Sequence, residues 1–410
     1  MATTPSIAMI PSGYKDEKVY SVLPTNGDGD FTFARTSTAT RVNSNGLIEE
    51  VGIGKPRLDY SDGACPSLLL EPQRLNYVTQ SETFTGYWGL QGTSLIADNN
   101  VKNPTGNTFS NILNTTSTGS FRSINKGESS AWDSKTLTVS CFAKKKTNDF
   151  IYFHNIGSAS GSPSVYFNIG SGTLGSVGNS WSNVKIENYG NGWYRCSAKI
   201  TFGADTNYIY ISNSDGNSNS TSTVGSQTYL WGTQVEEGNY ATSYIKTTGT
   251  VITRNADTAA GSGDATVINS TEGTLYFEGN AFSSTGSSGL ISLNVGTTNL
   301  NNRVTIELDG ANVKARFAIG GTSLGIFNYA TDITQVLKIA VKYKANDFAL
   351  WVNGTERVPL TSGNSFSANT LSELDFNRGD GGEPFIGNTN DLRVYATALS
   401  DAELTTLTTI

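Results

Sequence analysis

Histidine is almost missing from this chain: His154 is the only one in 410 residues. A Ser-His-Asp or Cys-His machine would have to be built on that single residue, and no nucleophile elbow precedes a helical pattern. Cysteine is scarce as well. Cys65, Cys141 and Cys196 are too few for a disulfide framework and lack the spacing of a zinc site. Charged residues make up only 15% of the chain and the net charge is -7, whereas binding phosphate requires clustered Lys and Arg. The one basic run, Lys144-Lys145-Lys146, reads as a solvated strand end, so no nucleic acid is expected as partner. No stretch of about 18 apolar residues is available to enter a membrane. Met1-Ala2-Thr3-Thr4-Pro5 has neither the basic start nor the apolar core of a secretion signal, so synthesis in a cytoplasm without signal-led export is expected.

Glycine, by contrast, is plentiful, at 44 residues against 10 prolines. Ser, Thr and Asn take the place of charge as the polar surface. That balance suits short strands joined by tight turns, and the expected class is all-β. Residues 1–80 carry only short apolar runs between turns such as Asn26-Gly27-Asp28-Gly29-Asp30. They are expected to form a short-strand attachment or oligomerisation region. Residues 81–253 alternate as half-buried strands do: Leu137, Val139 and Cys141 share one face, as do Tyr194, Cys196, Ala198, Ile200 and Phe202. The two cysteines among these read as small buried apolar groups. A linker is expected at 254–264, through Ala259-Ala260-Gly261-Ser262-Gly263. A second antiparallel β-sandwich should follow at 265–410. Within it Asn353-Gly354 marks a hairpin with a type I′ turn. Ser400-Asp401-Ala402-Glu403 marks a helix start, with Leu399 and Leu404 placed as a hydrophobic staple.

A sugar site on a β-sandwich needs flat rings for the apolar faces of pyranoses and amides or carboxylates for the hydroxyls. If Ile209 and Ile211 face the core, Tyr208 and Tyr210 face outward; the same parity turns Tyr166, and Tyr152 with His154, away from the core. Trp193 falls on the polar parity of its strand beside Arg195 and Lys199. These five aromatics, Tyr208, Tyr210, Tyr166, Tyr152 and Trp193, are the candidate carbohydrate-binding residues. Each also fits a packing role, Trp193 as a cover over the end of the sandwich. Trp231 reads as core. The acidic neighbours Glu49-Glu50 and Glu236-Glu237 would point to opposite faces of a strand and make poor catalytic pairs, although composition alone leaves a two-carboxylate hydrolase open. No catalytic residue, metal ligand or cofactor is expected. Asn26, Asp28 and Asp30 alternate like the start of a structural calcium loop, but Phe31 stands where such a loop needs glycine. Arg378-Gly379-Asp380, a match to a cell-adhesion tripeptide, reads as a glycine-permitted loop.

Three stretches resemble known families. Ile10-Pro11-Ser12-Gly13-Tyr14-Lys15, Ser37-Thr38-Ala39-Thr40-Arg41-Val42-Asn43 and Pro66-Ser67-Leu68-Leu69-Leu70-Glu71-Pro72 resemble the leader of structural proteins of tailed phages, notably those infecting Bacteroidetes. Asn191-Gly192-Trp193-Tyr194-Arg195-Cys196 and Trp231-Gly232-Thr233-Gln234-Val235-Glu236-Glu237-Gly238 resemble the carbohydrate-binding-module-like jelly rolls of phage fibres. Asp391-Leu392-Arg393-Val394-Tyr395 with Leu399-Ser400-Asp401-Ala402-Glu403-Leu404 resembles the closing strand and helix of concanavalin-A-like (laminin-G-like) lectin domains. The resemblance implies a non-enzymatic structural protein of a bacteriophage virion, on head or tail, as a fibre or appendage subunit. It further implies attachment to other virion proteins through residues 1–80, trimeric assembly by analogy, and contact with host glycans. Two alternatives stay open: a capsule or polysaccharide depolymerase, and a capsid decoration protein without ligand.

Overall fold

The structure, a computed structural model, describes residues 3–127, 131–156, 163–204 and 207–410. It is all-β, with its named strands paired antiparallel, one isolated parallel bridge between Leu290 and Pro384, and one helix among the described residues, Asp401–Thr408. Two compact units divide the chain. One comprises Met1–Thr38, Val51–Pro72 and Asn255–Ile410, the other Ala39–Glu50 and Gln73–Arg254.

In the unit 39–50 plus 73–254, two six-stranded sheets face each other. The first runs in the order Gly89–Gln91, Ser123–Gly127, Tyr208–Ser214, Phe150–Ile156, Ser164–Asn168, Thr173–Val177. The second runs Thr93–Lys102, Thr108–Thr115, Gln227–Glu237, Thr136–Lys145, Trp193–Thr201, Trp181–Asn188. Leu137, Val139 and Cys141 meet Cys196, Ala198 and Ile200 in the core between them, as alternation predicts. Cys141 and Cys196 stand opposite one another on adjacent strands as free, fully buried thiols. Burial raises both thiol pKa values, which makes them inert packing groups. The basic run is dispersed: Lys144 bonds the Asn191 carbonyl, Lys145 pairs with Asp149, and Lys146 lies over the Tyr229 ring.

The other unit is also a sandwich. Its larger sheet contains Leu337–Lys344, Glu272–Ala281 and Gly387–Tyr395, and the facing five-stranded sheet runs Thr322–Ala330, Asn312–Ile319, Arg303–Asp309, Ser287–Asn294, Glu373–Asp375. Asn353 and Gly354 adopt the positive φ values, 51° and 77°, that the expected hairpin turn requires. Ser400 and Glu403 form the expected capping box, with Leu399 and Leu404 both buried.

The chain divides differently from the expectation at two places. Residues 1–80 do not stand as a body of their own. Ile7–Met9 and Ser67–Leu70 add to the strand Gly387–Tyr395, and Ile7, Met9, Phe31, Phe33, Leu68 and Leu70 share one core with the C-terminal strands. Their apolar runs are too short to bury themselves, so they complete a sheet laid down by residues some 300 positions later. The stretch 254–264 is not a linker either. Thr258–Ala260 pairs with Phe31–Ala34, and Asp257 is buried among Arg35, Arg57 and Glu71. Small residues there permit close approach of backbones, which composition alone does not distinguish from looseness.

Candidate functional site

The outward parity assigned to the tyrosines places them on the exposed side of the first six-stranded sheet, and register assembles them into rows. Tyr210 lies opposite Asn125 on one side and His154 on the other, and His154 lies opposite Ser164. In the next row Ser123, Ser212, Tyr152 and Tyr166 follow in turn. Tyr208 is flanked by Gly127 and Ile156. Ile151, Phe153, Ile209 and Ile211 point the other way, into the core.

Four rings run together along this face. Phe121 sits over His154 with centroids 4.4 Å apart, His154 meets Tyr210 edge-on at 5.5 Å, and Tyr210 meets Tyr208 at 6.0 Å. Tyr208 and Tyr210 are half-buried and Phe121 is 36% exposed. A β-carbon at Gly127 would come within 2.5 Å of the Tyr208 ring, so the ring fills the space that glycine leaves. His154 hydrogen-bonds Ser164 Oγ through Nδ1 at 3.2 Å. Burial pushes its pKa down to about 4, so the imidazole is neutral at physiological pH. The Tyr210 pKa is raised, by burial and then by the neighbouring Tyr208. These middle rows contain no carboxylate. The surface offers ring faces with neutral Asn and Ser around them, suited to stacking a sugar ring and poor in groups for general acid chemistry.

The other three candidates lie elsewhere. Tyr152 and Tyr166 stack at 5.0 Å on the same sheet but are buried; Tyr152 donates its hydroxyl hydrogen bond to the Ser220 carbonyl at 3.1 Å, beneath the chain around residue 220. Trp193 belongs to the second sheet and is 1% exposed. Its indole donates to the Lys102 carbonyl at 2.7 Å, and it packs with Ile48, Phe142, Trp231 and Tyr244. Its outward parity holds, but segment 39–50 covers that outer face. Trp231 is buried as expected, though in this second cluster. Phe121 was not legible in the sequence: it stands in a Ser/Thr/Gly loop in a left-handed conformation, φ 57°, where no strand pattern reaches.

Other acidic and basic groups are used structurally. Glu236 is buried, accepting from Gln234 and Thr242, whereas Glu237 is exposed, the opposite facing expected of strand neighbours. Asp30 accepts from Ser21 and pairs with Lys18, while Asn26 and Asp28 bond each other. Among the described residues no group of three or more His, Cys, Asp or Glu is placed to hold a metal. Arg378 is tied to Asp380 and Glu383 within a loop where Gly379 and Gly381 have positive φ. A cavity of about 440 Å³ beside the helix is lined by Arg393, Tyr395, Leu399, Glu403 and Leu407. Its charges are already engaged, Arg393 by Asp391 and Glu403 by the helix cap.

One carboxyl pair has a measurable signature. Glu373 and Asp375 share a face of their strand, and Asp375 accepts from the Gly261 amide and from Asn294. Burial, then the charge and hydrogen bond of Asp375, push the Glu373 pKa up from 4.5 to about 7. Between these values the folded chain keeps a proton that the unfolded chain has released, so stability falls as pH rises through that window and levels off above it. With solvent screening of this half-exposed group, the loss is about 1 kcal/mol. Urea unfolding of the unit that holds it should show this slope in the wild type and a flattened one in Glu373→Gln; equal slopes would remove Glu373 as its source.

No family model matches the chain, and no curated protein matches it in sequence. Among solved structures it is similar to the Ruminococcus gnavus IT-sialidase CBM40 bound to α2,3-sialyllactose, at 20% identity over 36% of this chain and 86% of that one, TM-score 0.31. Domain 4 of a GH43 extracellular arabinanase from Geobacillus stearothermophilus, in complex with arabinotriose, is similar at 15% identity over 42% and 83%, TM-score 0.31. A leech intramolecular trans-sialidase is similar at 20% identity over 34% of this chain and 24% of its own, TM-score 0.30. The likeness is partial, spanning 34–42% of this chain at TM-scores of 0.30 to 0.31.

Proposed function

We propose that this chain is a non-enzymatic surface subunit of a tailed-phage virion that contacts host glycans through the face formed by Tyr208, Tyr210 and Phe121, backed by the buried His154. The observation that carries the glycan contact is the half-exposed Tyr208–Tyr210 pair, continued by a neutral His154 and by Phe121 at ring spacings of 4.4 to 6.0 Å. The virion assignment rests on the phage-like phrases in residues 1–72. Such a face binds weakly as a single copy and gains from repetition on a particle. Attachment to other virion proteins and trimeric assembly belong to the same proposal, by analogy with phage fibres. A binding role is favoured over hydrolysis because no carboxylate stands in the aromatic rows.

The test is a glycan array probed with the full chain displayed multivalently. Each ring contributes about 1 kcal/mol, so Tyr208→Ala/Tyr210→Ala should weaken monovalent binding roughly thirty-fold with an unchanged circular dichroism spectrum. Absence of binding at any avidity would favour a decoration protein without ligand. Sustained release of reducing sugar from host capsule would establish a depolymerase instead.

A further inference from the structure

The outer face of the five-stranded sheet in the other unit is polar by the same alternation. Val304, Ile306 and Leu308 enter the core, which turns Arg303, Thr305 and Glu307 outward. Arg316 lies opposite Thr305 in the neighbouring strand. Its guanidinium holds both oxygens of Glu307, at 3.0 and 3.4 Å, and Thr305 adds a bond at 3.0 Å to the same carboxylate. Arg378 spends its donors on Asp380, at 2.7 and 3.1 Å, and on Glu383 at 2.8 Å. Those two arginines are therefore satisfied.

Arg303 is not. It is half-buried, its Nη1 donates to the Leu300 carbonyl at 2.9 Å, and among the described residues it makes no ion pair. Burial and the positive charge of Arg316 lower its pKa, while Glu307 pulls the other way; behind these, Arg378 lowers it and Asp380 raises it. The loop leading into it supplies exposed amides at Asn299 and Asn301. Ile326, opposite Arg316 and 51% exposed, supplies an apolar edge.

We propose that Arg303 forms an anion subsite on this face that takes the carboxylate of an acidic sugar residue, Arg316 and Arg378 being already spent on Glu307, Asp380 and Glu383. The free side of a guanidinium presents two parallel donors that match a planar carboxylate. The flanking carboxylates of Glu307, Asp380 and Glu383 would repel a dense polyanion such as nucleic acid but leave room for one negative charge per ring. The asparagine amides suit ring hydroxyls. This site lies on a different sheet and unit from the tyrosine face, and does not depend on it.

Calorimetric titration of the full chain with oligogalacturonate and oligomannuronate, each against its carboxyl-reduced counterpart at low and moderate salt, tests the subsite. Binding is expected for the acidic oligomers, weakened by salt and lost on carboxyl reduction. Arg303→Gln should weaken it at least ten-fold, and Arg303→Lys, which keeps charge but loses the fork, by less. Unchanged thermal unfolding of both variants would separate this from misfolding. Tyr208→Ala/Tyr210→Ala should leave uronate binding intact, so the two proposals fail separately. Equal binding of acidic and reduced oligomers, no binding of either uronate, or wild-type affinity in Arg303→Gln would overturn the subsite.

Discussion

Replacing Asp257 with asparagine is expected to destabilise its unit by about 3–5 kcal/mol, the cost of removing one partner from a buried ion network. Asp257 sits between two guanidinia: Arg35 Nη1 lies 2.9 Å from one oxygen, and Arg57 bonds the other. Arg57 also reaches Glu71 at 2.6 Å, and the Glu71 amide donates to Asp257 at 2.9 Å. All four side chains are buried, and two positive charges balance two negative ones. Burial works against the charged form of Arg57, but Asp257 and then Glu71 more than offset it and hold its pKa above the ordinary value. Asparagine keeps the shape and one acceptor but leaves two arginines to one carboxylate in a dry site. Because the chain holds two compact units, denaturant unfolding should be followed with a probe for each. The transition of the unit containing Asp257 should move to lower denaturant while the other stays. A shift below about 1 kcal/mol would mean that water reaches the network and screens it.

That network also marks where the sequence becomes opaque. Strand alternation is a local signal, so Leu137 to Cys141, the Asn353-Gly354 turn and the capping box at Ser400 could be read directly, and the structure carries them as read. The outward facing of Tyr208 and Tyr210 was legible for the same reason. What covers a face is not local. Ile7 pairs with Val394 and Arg35 with Asp257, and nothing in a window of ten residues announces a partner hundreds of positions away. Hence residues 1–80 read as a short-strand attachment region and 254–264 as a linker, while both segments complete sheets. Tyr152 and Tyr166 followed parity and were still covered, by loop segments whose Ser, Gly and Asn composition gives no sign of where they fold. Arg303 was missed because a lone arginine on a strand is ordinary until its neighbours are seen to be paired off.

Trp193 shows the functional consequence of that limit most sharply. On parity alone it belonged with the sugar-stacking residues; in the fold it is buried in one cluster with Phe142, Trp231, Tyr244 and Ile48. Trp193→Ala is therefore expected to cost about 3–5 kcal/mol through the cavity left behind. A further contribution of about 1 kcal/mol comes from leaving the Lys102 carbonyl without its indole donor. Trp193→Phe keeps most of the buried area and should lose only about 1–2 kcal/mol, chiefly the hydrogen bond and the smaller ring. The loss should appear in the transition of the unit 39–50 plus 73–254. Glycan affinity per folded molecule should stay at the wild-type value, because the Tyr208 face belongs to the other sheet of that sandwich. Denaturant unfolding paired with binding measured well below the transition distinguishes the two roles. Were Trp193→Ala to fold with wild-type stability yet lose sugar binding, the tryptophan would be a contact residue after all, and the segment 39–50 above it would have to open for a ligand to enter.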